Sequence, residues 1–138
     1  MPPLIEPWKL VVVTIVQEAA LESLKGKIMV AEVIRDRAES KYNSDGTLID
    51  TILRPKQFSG WNTEERARIR SLNLDITEQA VIDSIKAYEI AFKDRTNYAM
   101  GANLYHADYM NPYPQWAYAT NVTRLTQEGH HIFYREDR

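Results

Sequence analysis

The sequence predicts an α+β fold in which helices predominate and a small β-hairpin closes the C-terminal end. Apolar residues recur at helical spacing from about residue 8 to residue 93. From Asn97 onward this periodicity is lost, and this part of the chain holds six of the eight tyrosines and all three histidines. Turn-forming residues and short β-prone runs replace the amphipathic stretches there, which indicates a change of architecture.

The first apolar segment, residues 10–16, is ambiguous by composition. Most of its residues are β-branched, and by propensity alone they suit a strand as well as a buried helix. The segment is too short to span a membrane, so we expect no stable membrane insertion. The preceding residues contain no basic n-region, and no small-residue cleavage site follows. We therefore expect a protein that is made in the cytoplasm without a signal peptide.

Two helices are predicted next along the chain. The first has an apolar stripe at helical spacing, which consists of Leu24, Ile28, Met29, Ala31, Val33 and Arg35. The second begins at Thr47, where Asp50 three residues later completes an N-terminal capping pattern, and it ends before Pro55. Its apolar face consists of Leu48, Ile49, Ile52 and Leu53.

A further helix and the hairpin complete the prediction. Asp75 and Glu78 repeat the capping pattern, and the helix continues to about Lys93. One face of this helix carries Val81, Ile85, Tyr88 and Phe92. Residues 125–127 and 131–134 are the two β-prone runs, and the turn between them contains Gly129.

Size and charge limit the classes of function. At 138 residues, without a repeat, linker or low-complexity stretch, residues 1–138 form one domain. A net charge of −2 provides no basic field for a polyanion, so we expect no nucleic-acid partner. There is no cysteine, so the fold needs no disulfide.

The sequence also lacks a nucleophile elbow and a phosphate-binding loop, the motifs typical of serine hydrolases and nucleotide-binding proteins. We expect a monomer.

Glu18 is the candidate catalytic residue. It follows an almost uninterrupted apolar run and precedes Ala19, Ala20 and Leu21. A carboxyl at the edge of an apolar wall keeps its proton near neutral pH, and it can then act as the general acid that cleavage of a glycosidic bond requires. The alternative from composition alone is a solvated or internally satisfied carboxylate.

Short motifs follow one another in a defined order along the chain. Residues 18–22 have the sequence EAALE, residues 26–37 GKIMVAEVIRDR and residues 54–62 RPKQFSGWN. Shorter motifs follow at residues 102–106, 114–117 and 131–135. In this order they resemble the SleB-like cell-wall hydrolases, a family of spore-cortex-lytic enzymes and phage lysins, and the resemblance covers nearly the whole chain. The departures are Leu21 in place of Gly, Met29 in place of a small residue and Asp36 in place of Asn.

The resemblance implies a lysozyme-like domain that cleaves the β-1,4 bond between N-acetylmuramic acid and N-acetylglucosamine in peptidoglycan. It implies a helix for the first apolar segment, Glu18 as the catalytic acid, and no metal or other cofactor. In a lytic transglycosylase one carboxyl suffices, because it protonates the glycosidic oxygen and then takes the proton of the muramoyl C6 hydroxyl. The product ends in 1,6-anhydromuramic acid. A phage endolysin that acts on the host cell wall is the expected setting.

Two alternatives stay open. A true muramidase uses water and needs a second carboxylate at roughly 5–9.5 Å from the first. Glu22, one helical turn after Glu18, is the candidate auxiliary carboxylate, although an orienting or structural role suits it as well. The other alternative is an inactive glycan-binding or virion structural module that keeps the aromatic residues of a groove.

Candidate substrate-binding residues lie in the loops and in the tyrosine-rich part. Gln57 and Ser59 flank Phe58 and present polar groups that suit the acetamido and hydroxyl groups of a glycan. Aromatic side chains with polar ends suit sugar rings, and the candidates are Tyr98, Tyr105, Tyr109 and Trp116. His106 is a further candidate for binding substrate or orienting Glu18. For each of these residues a purely structural role is the alternative.

The three histidines superficially suggest a metal site. His130 and His131 are neighbours on a predicted strand, so their side chains point to opposite faces of the sheet. At most one of them can then join His106, which is too few ligands for zinc. We therefore expect no metal.

Overall fold

The helical layer is organised around α1, which spans Pro7–Ala19. The computed structural model describes residues 6–54, 57–58 and 78–138, and in it residues 10–15 are almost completely buried. These are the β-branched residues whose propensity suits a strand equally well. The neighbouring helices bury this segment on all sides. A helix suits this environment because it satisfies the backbone hydrogen bonds within the segment.

The other helices of the described chain are α2 (Leu24–Glu39), α3 (Leu48–Leu53) and α4 (Gln79–Lys93). The Thr47 hydroxyl accepts a hydrogen bond from Asp50 N at 3.1 Å, which confirms the predicted start of α3. At the start of α4, Glu78 makes no side-chain capping bond, and Asp75 lies outside the described residues. The predicted helices are otherwise confirmed.

The face of α4 that is most deeply buried differs from the predicted face. Its buried residues are Val81, Ser84, Ala87 and Ala91, whereas Ile85, Tyr88 and Phe92 are only partly buried. Small side chains along this line let α4 approach α1 and α2 closely, so the bulkier residues flank the contact. Hydrophobic periodicity alone favours the bulky residues for the centre of a helix contact, which explains the difference.

The C-terminal part forms an antiparallel sheet of β1 (Leu104–Ala107), β2 (Val122–Glu128) and β3 (His131–Glu136), in the order β1-β3-β2. The β2–β3 hairpin is the predicted one, with longer strands than expected. The sequence analysis did not predict β1, which pairs with β3 on the side away from β2. Leu104–Ala107 contains no β-branched residue, so composition gives only a weak strand signal there.

Long-range contacts hold the sheet against α2. Phe133 of β3 is fully buried in a cluster with Met29 and Val33 of α2. The carboxylate of Glu32, also fully buried, accepts hydrogen bonds from the backbone N–H groups of Tyr98 at 3.0 Å and Ala99 at 2.8 Å. This carboxylate therefore fixes the start of the segment that leads into β1. Within the described residues no helix is long and apolar enough to cross a membrane.

Glu22 connects the α1–α2 turn to the hairpin. Its Oε1 accepts a hydrogen bond from His130 N at 2.8 Å. Gly129 precedes His130 in the turn with a φ of +55°, and a Cβ atom placed on it would lie 2.6 Å from Glu22 Oε1. The close approach and the left-handed backbone both require glycine here.

We predict that Gly129→Ala lowers the free energy of unfolding by about 2–5 kcal/mol. Left-handed backbone at a residue with a Cβ costs about 1–2 kcal/mol, and displacing the Glu22 carboxylate from its hydrogen bond costs about 1–3 kcal/mol. Urea denaturation followed by circular dichroism measures the change.

Gly101→Ala is the matched control. Gly101 has a φ of +81°, but a Cβ atom there would meet no other atom within 4 Å. It should therefore cost only the backbone contribution of about 1–2 kcal/mol. Equal losses in the two variants would show that the approach of Glu22 to Gly129 contributes nothing to stability.

Candidate active site

A groove lies where the end of α1 meets α2 and the sheet. It has a volume of about 670 Å³. The residues lining it that matter for chemistry are Gln17, Glu18, Arg37, Tyr42, Gln57, Tyr105, His106, Tyr109, Trp116 and His131. The groove therefore combines one carboxyl, one guanidinium and several aromatic rings.

Glu18 is held on the wall of this groove by Tyr105. The Tyr105 hydroxyl donates a hydrogen bond to Glu18 Oε1 at 2.7 Å, which joins α1 to β1 across the groove. Burial raises the pKa of Glu18 above its ordinary value, although the Tyr105 hydrogen bond and the positive charge of Arg37 oppose this rise. The result is a carboxyl that keeps its proton to higher pH than a solvated glutamate does.

Tyr105 is fixed as a hydrogen-bond donor. Its ring packs against His131 at 4.9 Å and Phe133 at 5.6 Å between centroids. Burial, and then the charge and hydrogen bond of Glu18, raise the pKa of Tyr105 well above the ordinary value for tyrosine. The hydroxyl consequently stays protonated and occupies one oxygen of Glu18, so that an acidic proton is carried by the other oxygen.

His106 lines the groove, and its ring is held from both nitrogens. Nδ1 lies 2.8 Å from the Ala107 carbonyl oxygen, which can only accept, so Nδ1 carries a proton. Nε2 lies 2.8 Å from the Tyr134 hydroxyl, which donates to it when the imidazole is neutral. The ring also packs against Tyr113 at 4.4 Å and Trp116 at 5.6 Å between centroids. His106 thus orients the aromatic wall on which Trp116 lies.

The structure brings most of the predicted binding residues together, but not all of them. Gln57, Tyr105, His106 and Trp116 line the groove with Glu18. Tyr98 is not among the residues that line it. This side chain is half-exposed, and the ammonium of Lys25 lies 5.4 Å from the centre of its ring. Ser59 lies outside the described residues.

Glu22, the candidate auxiliary carboxylate, does not line the groove. Its side chain is 8% exposed and points to the hairpin, where it bonds His130 N and lies 3.8 Å from His131 Nδ1. Among the described residues that line the groove, Glu18 is the only carboxylate. The position of Glu22 is that of a structural group between the α1–α2 turn and the hairpin.

The polar and aromatic groove residues that were not candidates from the sequence include Gln17, Arg37 and Tyr42. Arg37 lies at the end of α2 and is 6% exposed; its Nε donates to the Asn103 carbonyl at 2.6 Å. Its guanidinium carbon lies 5.4 Å from the ring centre of Tyr42. Arg37 follows Val33 by four residues and Val30 by seven, so helical spacing places it on the same buried face as these valines. A buried arginine on a helix is unusual, and this pattern could have identified it from the sequence.

The histidines do not converge on one point. His130 is exposed and its Nδ1 lies 3.2 Å from Asp108 Oδ1, whereas His106 is bonded within the aromatic wall. No group of three or more metal-ligating side chains occurs in the part of the chain that the structure describes.

Comparisons with known proteins give the family. The family model described as Cell Wall Hydrolase matches residues 21–134. This chain belongs to the cell wall hydrolase family. The match begins three residues after Glu18, so the importance of Glu18 is argued from the groove geometry. A search of curated proteins finds no match.

The hydrolase shares its fold with solved structures of SleB catalytic domains. The Bacillus cereus SleB catalytic domain superposes with a TM-score of 0.67 at 20% identity, covering 92% of this chain and 88% of that one. The catalytic domain of the germination-specific lytic transglycosylase SleB from Bacillus anthracis has a TM-score of 0.67 at 18% identity, covering 96% and 98%. Both comparisons confirm the α+β fold and the SleB-like resemblance.

We predict that Glu18→Gln stabilises the hydrolase at neutral pH, with a Tm higher by about 2–4 °C. Below the ordinary value of 4.5 Glu18 is protonated in the folded and unfolded states, but above its raised folded pKa the ionised form opposes folding. The stabilisation should therefore be largest near neutral pH and shrink as the pH falls toward 4.5. Thermal unfolding at a series of pH values measures it.

Glu89→Gln, at an exposed position on α4, is the control and should leave this pH dependence unchanged. A Glu18→Gln variant whose stability relative to the wild type does not vary with pH would contradict a desolvated Glu18.

Proposed function

We propose that this cell wall hydrolase cleaves the glycan strand of peptidoglycan as a lytic transglycosylase, with Glu18 as its single acid and base. The observation that carries the proposal is the Glu18 carboxyl on the groove wall, desolvated and hydrogen-bonded by Tyr105 at 2.7 Å. A carboxyl in this state is suited to donate a proton near neutral pH.

In the first step, the protonated oxygen of Glu18 donates its proton to the glycosidic oxygen. The bond from that oxygen to C1 of N-acetylmuramic acid breaks, positive charge develops on the muramoyl ring, and N-acetylglucosamine leaves with a new hydroxyl. Tyr105 stays bonded to the other oxygen of Glu18 and holds the carboxyl in position.

In the second step, the Glu18 carboxylate takes the proton of the muramoyl C6 hydroxyl. The C6 oxygen forms a bond to C1, which gives the 1,6-anhydro ring and returns Glu18 to its protonated form. No water and no second carboxylate enter this cycle. The absence of any other carboxylate among the described groove residues supports it over the muramidase scheme.

The groove suits a glycan strand. Trp116 and Tyr109 offer flat apolar surfaces for sugar rings, and the Gln57 amide offers a donor and an acceptor for acetamido groups. The family description and the similarity to a SleB domain described as a germination-specific lytic transglycosylase also support this substrate.

We predict that the hydrolase releases soluble muropeptides ending in 1,6-anhydromuramic acid from purified peptidoglycan, and that Glu18→Gln lowers the rate by about 10²–10⁴-fold. The amide keeps the shape of the side chain but has no acidic proton to donate to the glycosidic oxygen. Mass spectrometry of the soluble fragments measures both the product and its rate.

Glu22→Gln is the matched control, since Glu22 is a carboxyl one turn away that does not line the groove; it should give the same product. Reducing-end muramic acid in place of the anhydro form would identify a muramidase. A wild-type protein that binds the wall but releases nothing would be a binding module.

We also propose an endolysin role, in which the enzyme accumulates in the cytoplasm and reaches the wall when the membrane is permeabilised. The resemblance to a family that includes phage lysins supports it. Expression in the bacterial cytoplasm should leave cells intact until a permeabilising agent is added, and turbidity should then fall within minutes. The Glu18→Gln variant is the control, and lysis without permeabilisation would contradict this route.

A further inference from the structure

Arg37 is a buried cation whose surroundings in the described structure contain no close counter-ion. It is 6% exposed, and no described carboxylate lies within the 4.0 Å of an ion pair. Its Nε donates to the Asn103 carbonyl, but its Nη1 is buried and has no hydrogen-bond partner among the described residues. Burying a guanidinium in this state is unfavourable unless a negative charge forms nearby.

Arg35, a second buried arginine on α2, has partners for both its Nε and its Nη1. It is 5% exposed, and its Nε lies 3.0 Å from Asp36 Oδ1. Its Nη1 donates to the carbonyl oxygens of Ala91 at 2.7 Å and Thr96 at 2.8 Å. Arg35 thus joins α2 to the end of α4, whereas Arg37 keeps an unpaired donor beside the groove.

Aromatic rings fix the position of the Arg37 guanidinium. Its central carbon lies 5.4 Å from the ring centre of Tyr42 and 5.1 Å from that of Phe58. These contacts and the Asn103 bond hold the charge in place at the groove that Glu18 lines. A charge fixed in a desolvated site interacts strongly with charge that forms during a reaction, because the protein does not have to reorganise.

We propose that Arg37 is the counter-charge of the Glu18 carboxylate that forms when Glu18 gives up its proton. Arg37 is then a positioning residue that acts through Glu18 and not by contact with the substrate. The inference deepens the proposed function and rests on it for its consequence in catalysis. Its physical basis, the coupling of the two side chains, can be measured in the protein alone.

Burial and Arg37 act on Glu18 in opposite directions. Burial raises the pKa of Glu18 and so keeps the proton available, whereas the charge of Arg37 lowers that pKa and so eases release of the proton. Burial lowers the pKa of Arg37, and the charge of Glu18 opposes this fall. A buried carboxyl without this cation would retain its proton but be a weaker acid in the first step.

Three other titratable groups at the groove favour their neutral forms. The pKa values of Tyr42 and Tyr105 are both raised, so their hydroxyls stay neutral. On β3, burial lowers the pKa of His131, which favours the neutral ring. His106 on β1 is hydrogen-bonded to the Ala107 carbonyl and the Tyr134 hydroxyl. Among the described residues that line the groove, Arg37 is the only arginine or lysine.

The test is a titration of the Glu18 carboxyl by carbon NMR in protein labelled at glutamate, with Glu18→Gln to assign the signal. We expect Arg37→Met to raise the pKa of Glu18, and Arg37→Lys to restore it toward the wild-type value. Arg35→Met is the matched control, equally buried on α2 but paired elsewhere, and it should not move this pKa. Tyr105→Phe is the positive control, because it removes a hydrogen bond that lowers the pKa.

In catalysis, Arg37→Met should move the alkaline limb of the pH–rate profile to higher pH and reduce the maximum rate about tenfold or more. An unchanged Glu18 pKa in folded Arg37→Met would overturn the inference, whatever the activity. Failure of the wild type to release muropeptides would instead contradict the proposed function and leave the NMR titration to decide the coupling.

Folding of the variants provides a second readout. If Arg37→Met does not fold at neutral pH, combining it with Glu18→Gln should restore folding, because the uncompensated carboxylate is then absent. A double variant that also fails to fold, while Arg35→Met folds, would assign Arg37 a structural role and overturn the inference.

Discussion

The site depends on the burial of α1. Residues 10–15 of this helix are enclosed by the neighbouring elements, and the helix ends at the groove, so the Glu18 side chain emerges from the core and not from the surface. A carboxyl in that position loses much of its hydration, which raises its pKa. The packing that stabilises the domain therefore also desolvates the carboxyl that we propose as the catalytic acid, and loosening the helix would change the pKa of Glu18.

The sheet completes the site from the other side. β1 supplies Tyr105, which bonds Glu18, and His106, which orients the aromatic wall. Because β1 pairs only with β3 within the described chain, its position depends on how β3 packs against α2 through Phe133. Long-range contacts thus place this four-residue strand, and it carries two of the groups that shape the groove.

Carboxylates serve two different purposes in this domain. Glu32 and Glu22 are buried against backbone N–H groups of distant segments and hold the sheet to the helices. Glu18 accepts a side-chain hydroxyl and faces open space in the groove. Of these three carboxylates only Glu18 lines the groove, where a substrate can reach it, and this position separates it from the two structural carboxylates more clearly than burial does.

The sequence by itself predicted the helices after the first apolar segment and the C-terminal hairpin, because periodicity, capping residues and turn residues are local signals. The apolar run before Glu18 also singled out this residue as the candidate acid. Propensity left residues 10–15 open between strand and helix, and the structure has the helix that the family resemblance implied. Tertiary structure alone decided that β1 joins the sheet, and that Tyr98 and Glu22 lie outside the groove while Arg37 lies within it. These outcomes depend on contacts between residues far apart in the chain. The hydrogen bond from Tyr105 to Glu18 spans 87 positions, and no local pattern specifies the partner of a side chain at that separation.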